Sequence, residues 1–270
     1  MKTDYQQSLQ THLANYARNS LNVLEGGTYR GKAYPHILPK SLQVLNLLET
    51  SRAALQAYLK THPSIKLHMY FHHLNSSQAF AFNLFFPFFS AGAGPARALS
   101  STLGVDDEIT SDWEFEHIAD ANEGTNADVM WRTTSARVFC EVKLSERGFG
   151  KAINDPEHRS KLEKIYKPRL TNMIASNFLE ESTFFKNYQL LRNISLLAAN
   201  EADCLVILHP RANRSLREPL QKVLAGVSPA IRPRIQVAYV EECLESLRSN
   251  TLLPVGLRSY ASKLIEKYVV

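Results

Sequence analysis

Asp128, Glu141 and Lys143 are the residues of this 270-residue chain whose types and spacing suit chemistry. They lie in NADVMWRTTSARVFCEVKLSERGFGK, residues 126–151, which otherwise reads as two apolar strands joined by a polar turn. With RTTSA as the turn and Arg132 opposite Arg137, counting outward pairs Met130 with Phe139 and Asp128 with Glu141. Directly opposed side chains have Cβ atoms about 4.5–5.5 Å apart. Alternation sets Phe139, Glu141 and Lys143 on one face and Val138, Cys140, Val142 and Leu144 on the other, so two carboxylates and an ammonium converge. Carboxylates that close repel, and a hard divalent cation relieves the repulsion by taking an oxygen from each, with water or substrate phosphate completing its shell. Mg²⁺ is the natural occupant and Mn²⁺ its substitute; the lysine would hold the attacking water and stabilise charge developing on a phosphoryl group. The chemistry is phosphodiester hydrolysis. A Glu-x-Lys pair on a solvated strand face has the same sequence, so the reading leans on its company: the opposed Asp, the EGT before it, the basic stretch after it and the strand order around it.

EGTNADVMW followed by FCEVKLSERGFGK resembles the PD-(D/E)xK superfamily of restriction-endonuclease-like nucleases, in which a hairpin bears an Asp followed at a distance by Glu-x-Lys. The resemblance covers about residues 77–210 and adds little on residues 1–75; Asn126-Ala127 replaces the nominal Pro before Asp128. It implies an α/β fold with a restriction-endonuclease-like core, a central mixed sheet flanked by helices. It implies that Asp128 and Glu141 ligate the metal, with the Val142 carbonyl as a further ligand, while Lys143 assists the water. DNA is the implied partner, with cleavage leaving a 5′-phosphate and a 3′-hydroxyl, and a homodimer is implied where both strands of a duplex are cut. Many relatives carry a further acidic residue upstream, a place Glu116 fills, with Glu114 facing the same way. Relatives also supply a Gln or a basic residue from a following helix; in NYQLLRNISLLAAN, Gln189, Arg192 and Asn193 form one polar stripe at i, i+3 and i+4. Solvated side chains would give both patterns too.

The elements that must position these residues follow from periodicity. Helices are expected over 4–24 and 40–60, split by a GGTYRGKAYP loop, as an N-terminal helical extension over residues 1–75 that precedes a core over 76–270. Asn75-Ser76-Ser77 caps a helix in which Ala79, Phe82, Phe86 and Phe89 recur at helical spacing, and this helix should pack on the sheet. DWEFEH reads as a first strand with Trp113, Phe115 and His117 on its apolar face. Strands at 127–132 and 137–144 come next, then a basic connection, a helix over 181–199, the buried strand ADCLVILH, a helix over 215–225, the strand RIQVAYV and helices over 241–249 and 257–268.

The net charge of +5 favours an anionic partner, and basic residues outnumber acidic ones between Arg137 and Arg169. Lys151, Lys161 and Lys164 from this connection, with Arg192, are the candidate contacts to a nucleic-acid backbone; charged, solvated helix faces look alike in sequence. At 44% hydrophobic and 21% charged residues the chain has the composition to bury a sizeable core. Cys140, Cys204 and Cys243 sit among apolar neighbours as free thiols do, which suits a reducing cytoplasm. AFAFNLFFPFF at 79–89 is too short to span a membrane, and MKTDYQQSLQ lacks a signal-peptide core. His68, His72 and His73 lack an acidic third ligand, and no GxxxxGK[ST] loop or GxSxG elbow is present, which argues against a zinc protease, an NTPase and an α/β-hydrolase. The rival reading is a non-catalytic nucleic-acid-binding or structural protein that keeps the nuclease fold with its charged hairpin as a salt-bridged strand face.

Overall fold

The computed structural model describes residues 4–121, 123–124 and 126–270; Met1–Thr3, Asn122 and Thr125, the last of the EGT triplet, lie outside the described residues. Its elements run α1 (Asp4–Asn19), β1 (Gly27–Tyr29), β2 (Lys32–Tyr34), α2 (Glu49–Thr61), α3 (Ser77–Ser90), α4 (Ala93–Thr102), β3 (Ile109–Ile118), β4 (Asn126–Thr133) and β5 (Arg137–Val142). There follow α5 (Pro156–Lys161), α6 (Lys167–Leu170), α7 (Glu181–Lys186), α8 (Tyr188–Ser195), β6 (Cys204–His209), α9 (Arg214–Ala225), β7 (Ile235–Tyr239), α10 (Val240–Ser249) and α11 (Val255–Tyr268).

The fold is α/β, with a central mixed sheet flanked by helices and an N-terminal helix ahead of it. The five strands lie in the order β3-β4-β5-β6-β7, antiparallel from β3 to β5 and parallel from β5 to β7. β5 is therefore the seam between a local meander and a crossover-connected half. Both faces of β5 and β6 are covered, which is why CLVILH is an unbroken apolar run rather than an alternating one. Val138, Cys140, Val142 and Leu144 face the α3 side and Phe139 the α8 side, the partition that strand alternation dictates. At the foot of this seam Asp203, fully buried, accepts the Arg137 amide at 3.0 Å and its Nε at 3.1 Å, which clamps the start of β5 against β6.

α3 begins where Ser76 Oγ accepts the Ala79 amide at 3.3 Å. Its apolar face is wider than one stripe: Phe80, Phe82, Phe85 and Phe88 are all buried, because α3 is enclosed by the sheet, α2 and α11. Each such side chain is worth about 1.5–3 kcal/mol relative to exposure. The same hydrophobic cluster takes in Tyr5, Leu9 and Leu13 of α1 and Leu55 of α2.

Four expected elements differ, the first being the helix over 4–24, which ends at Asn19. Residues 40–60 divide into a 3₁₀ segment (Lys40–Asn46) and α2, because buried Asn46 spends its Nδ2 on the Phe71 and His73 carbonyls at 2.6 and 2.7 Å. GGTYRGKAYP holds the hairpin β1–β2, turned by Arg30 and Gly31 at φ 50° and 75°, the left-handed pair a tight hairpin needs. The helix expected over 181–199 breaks at Asn187 into α7 and α8 and ends in a 3₁₀ turn. The basic connection is itself helical, α5 running through a π-helical turn at Leu162–Tyr166 into α6. All three cysteines are unpaired, Cys140 and Cys243 buried and Cys204 half-buried. Among the described residues no helix is long and apolar enough to cross a membrane.

Candidate active site

β4 and β5 pair in the counted register, Arg132 with Arg137 and Met130 with Phe139, but the ladder ends at Val129 and Cys140. In place of the next pair, Asp128 turns its carboxylate onto the backbone of β5, where Oδ2 accepts the Val142 amide at 2.7 Å. Lys143 gives its own amide to the Leu208 carbonyl at 2.8 Å. In a parallel ladder that leaves both the amide and the carbonyl of Val142 aimed away from β6, toward Asp128.

On the other edge of β4 the register from Phe115↔Val129 to His117↔Ala127 stands Glu116 opposite Asp128. Glu116 has φ 53°, a conformation that costs a non-glycine residue about 1–3 kcal/mol and collects at functional sites. Both strands change face there: Phe115 and Val129 belong to the cluster beneath α3, whereas Ala127 joins the α8 side and His117 stacks on Phe139. His117 thus leaves the face that simple alternation gave it. Glu116 is held by Gln78 Nε2 at 2.8 Å and Asn126 Nδ2 at 3.1 Å.

Glu141 is 1% exposed and its carboxylate is fully gripped. Oε1 accepts Lys143 Nζ and Gln189 Nε2, both at 2.6 Å; Oε2 accepts Asn193 Nδ2 at 2.7 Å, with the Arg192 guanidinium 3.9 Å away. The polar stripe of α8 is thus the wall against which Glu141 is packed. Gln189 is fixed in turn by the Gly150 amide at 2.9 Å. Enclosure by protein, then the Glu141 charge, drives the Asp128 carboxyl well above the usual carboxylate range. Burial alone would lower Lys143, but Glu141, Glu146 and Asp128 outweigh it and hold its ammonium above the ordinary lysine value. Replacing Asn193 by leucine removes one of these donors; the unfolding free energy is expected to fall by about 1–3 kcal/mol, read from the urea midpoint at unchanged slope. An unmoved midpoint means that Arg192 closes the gap.

Glu116, Asp128, Lys143, Glu146 and Gln189 line one cavity of about 790 Å³ with the loop from Lys66 to Tyr70 across it. Among the described residues no three His, Cys, Asp or Glu side chains form a closed metal cage. What the hairpin offers is an oxygen set: the second Asp128 oxygen, the Val142 carbonyl and, if its partners yield, Glu141. An open set of that kind suits Mg²⁺, which keeps waters and takes few carboxylates, and excludes thiolate-seeking metals.

The expected nucleic-acid contacts divide between the site and the surface. Arg192 is inside, its Nη2 donating to the Asn126 carbonyl at 3.3 Å and Asn193 Oδ1 at 2.9 Å. Lys161 donates to the Glu123 carbonyl at 3.2 Å, while Lys151 and Lys164 are exposed. Sequence reasoning missed Gln78, a first-turn residue of α3 with no signal of its own, and Glu146, whose Oε2 accepts the Leu144 amide at 2.6 Å. The latter was legible as a second acid just past the Glu-x-Lys pair.

No curated protein and no solved structure matches the chain. The family model described as Restriction Endonuclease associating with ARP matches residues 10–269, which takes in every element except the first six residues of α1 and every residue of the cavity. On that match the chain belongs to the restriction endonucleases associating with ARP, a restriction-endonuclease-like family.

Proposed function

We propose that the chain is a metal-dependent nuclease that hydrolyses DNA phosphodiester bonds at the β4–β5 hairpin, as a restriction- or repair-type endonuclease. The observation that carries the reading is that Asp128 and Lys143 line one cavity where β4 breaks its own ladder, with buried Glu141 behind them, 2.6 Å from Lys143 Nζ. Asp128, the Val142 carbonyl and Glu141 would hold Mg²⁺, or Mn²⁺ in its place, which when bound supplies Lewis-acid polarisation of the phosphate. Lys143 donates to the attacking water and to the phosphoryl oxygen on which charge builds. Gln189 and Asn193 keep Glu141 oriented, and Glu116, steadied by Gln78 and Asn126, is the upstream acidic wall. Attack at phosphorus breaks the bond to the 3′ oxygen and leaves a 5′-phosphate and a 3′-hydroxyl.

The test is supercoiled plasmid incubated with Mg²⁺, Mn²⁺ or EDTA; nicking that requires the metal supports the reading, and inertness in every metal overturns it. One observation favours a second reading, a nucleic-acid-binding module without turnover: both Glu141 oxygens already have protein partners. Calorimetry with Mn²⁺ separates the two, since the module binds none. In either case exposed Lys151 and Lys164 are the backbone contacts, with Lys161 between them. Alanine at Lys151 or Lys164 is expected to flatten the slope of log affinity against log salt by about one for each phosphate no longer neutralised.

A further inference from the structure

Beside the carboxylate cavity, and sharing Tyr70, His73 and Asn75 with it, lies a second chamber of about 250 Å³. We propose that it receives one unpaired nucleobase of the strand whose phosphate reaches Asp128, Glu141 and Lys143. The phosphate half of that statement rests on the nuclease reading above; the base half does not.

The chamber is walled by rings set edge to face. Tyr29 meets Tyr70 and His73 with centroids 5.3 and 5.4 Å apart and planes at 87° and 85°, and Tyr34 meets His36 at 5.7 Å. Tyr29, Tyr34 and Tyr70 are half-buried, so part of each ring stays open. Such a box offers a flat ring both a π face and polar edges, and its volume suits a single planar ring system rather than an extended chain. Two polar atoms within these shared walls, His73 Nε2 and Asn75 Oδ1, are buried without a hydrogen-bond partner. Native proteins rarely leave such atoms unpaired unless a ligand or water completes them. Burial first, then the neighbouring His72, His36 and His68, pulls His73 down to about 4, so it stays neutral with one donor and one acceptor nitrogen.

The approaches suit a nucleic acid. Arg30 lies 5.2 Å over the Tyr29 ring at the tip of β1–β2, with Lys32 exposed beside it. Leu67 and Met69, 40% and 65% exposed, stand on the rim of the carboxylate cavity, where apolar side chains can wedge between base steps. The hairpin packs directly on the chain behind it: a Cβ on Gly27 would lie 2.2 Å from the Leu38 carbonyl oxygen, so the two backbones are in contact.

The test is binding in EDTA, by fluorescence anisotropy, of a duplex with one unpaired 2-aminopurine, the fully paired duplex and the single strand. Wild type is expected to prefer an unpaired base about tenfold over the paired duplex, as stacking on an aromatic ring gives. The 2-aminopurine emission should be quenched on binding. Tyr29→Ala and Tyr70→Ala should each erase most of the preference, and Tyr29→Phe and Tyr70→Phe should keep it. A stronger preference for the single strand assigns the chamber to single-stranded substrate, and one for the interrupted duplex to an extruded nucleotide. No preference in wild type, or preference and quenching that survive in folded alanine variants, overturns the proposal. If the alanine variants do not fold, wild-type preference with quenching and its retention in the phenylalanine variants still decide it. Binding without plasmid cleavage removes the nuclease reading and leaves this one; cleavage without the preference does the reverse.

Discussion

Replacing Lys143 by alanine is expected to slow Mg²⁺-dependent plasmid nicking by roughly 10²–10⁴-fold, the range for losing a positioned proton donor or charge stabiliser. Affinity for DNA measured in EDTA should change by less than about threefold, because one buried ammonium contributes little to counterion release. The asymmetry follows from where Lys143 sits: its Nζ is 2.6 Å from Glu141 Oε1 and its side chain is 11% exposed, so it belongs to the cavity floor and stands apart from exposed Lys151 and Lys164. The substitution also strips Glu141 of its nearest cationic partner, though the amides of Gln189 and Asn193 remain. Circular dichroism must therefore accompany the assay. A folded Lys143→Ala variant that nicks at the wild-type rate removes this residue from the chemistry.

Asp128 is expected to show a comparably large effect, with a cleaner control. Its Oδ2 accepts the Val142 amide that β4 leaves unpaired, and in the proposed mechanism the other oxygen takes the cation. Asparagine keeps an acceptor for Val142 and removes the charge. Asp128→Asn should fold as wild type does, lose Mn²⁺ binding by calorimetry and cut at least about 10²-fold more slowly, the several kcal/mol that a metal Lewis acid provides. Alanine at the same position should lose activity and stability together. If Asp128→Asn binds Mn²⁺ undiminished, the ion is held elsewhere.

Much of this site is legible in the sequence, for a definite reason. Strand alternation and antiparallel register are local properties of the backbone, so the pairing of Arg132 with Arg137 and the facing of Phe139 away from Cys140 follow from counting. Helical spacing is equally local, which is why Gln189, Arg192 and Asn193 could be seen as one stripe before it was known to grip Glu141. What counting cannot reach is a residue that departs from its element's geometry. Glu116 at positive φ reverses the face of β3, and nothing in DWEFEH announces it. Asn46 ends a helical pattern because of carbonyls at Phe71 and His73, more than twenty residues away in sequence. The hairpin in GGTYRGKAYP reads as a loop in sequence because its strands are three residues each, too short to show a period.

The seam at β5 has a bearing on the order in which the molecule is assembled. Asp128, Glu141 and Lys143 belong to a meander whose pairings are all near in sequence, whereas the amides that restrain Glu141 arrive from α8, the last α-helix of the crossover. A growing chain therefore exposes its carboxylates well before it can discipline them. For a protein of the proposed activity that lag acts as a safeguard written into the topology: during synthesis the reactive centre exists only as parts, and it comes into being at the moment the crossover helix closes over the strand.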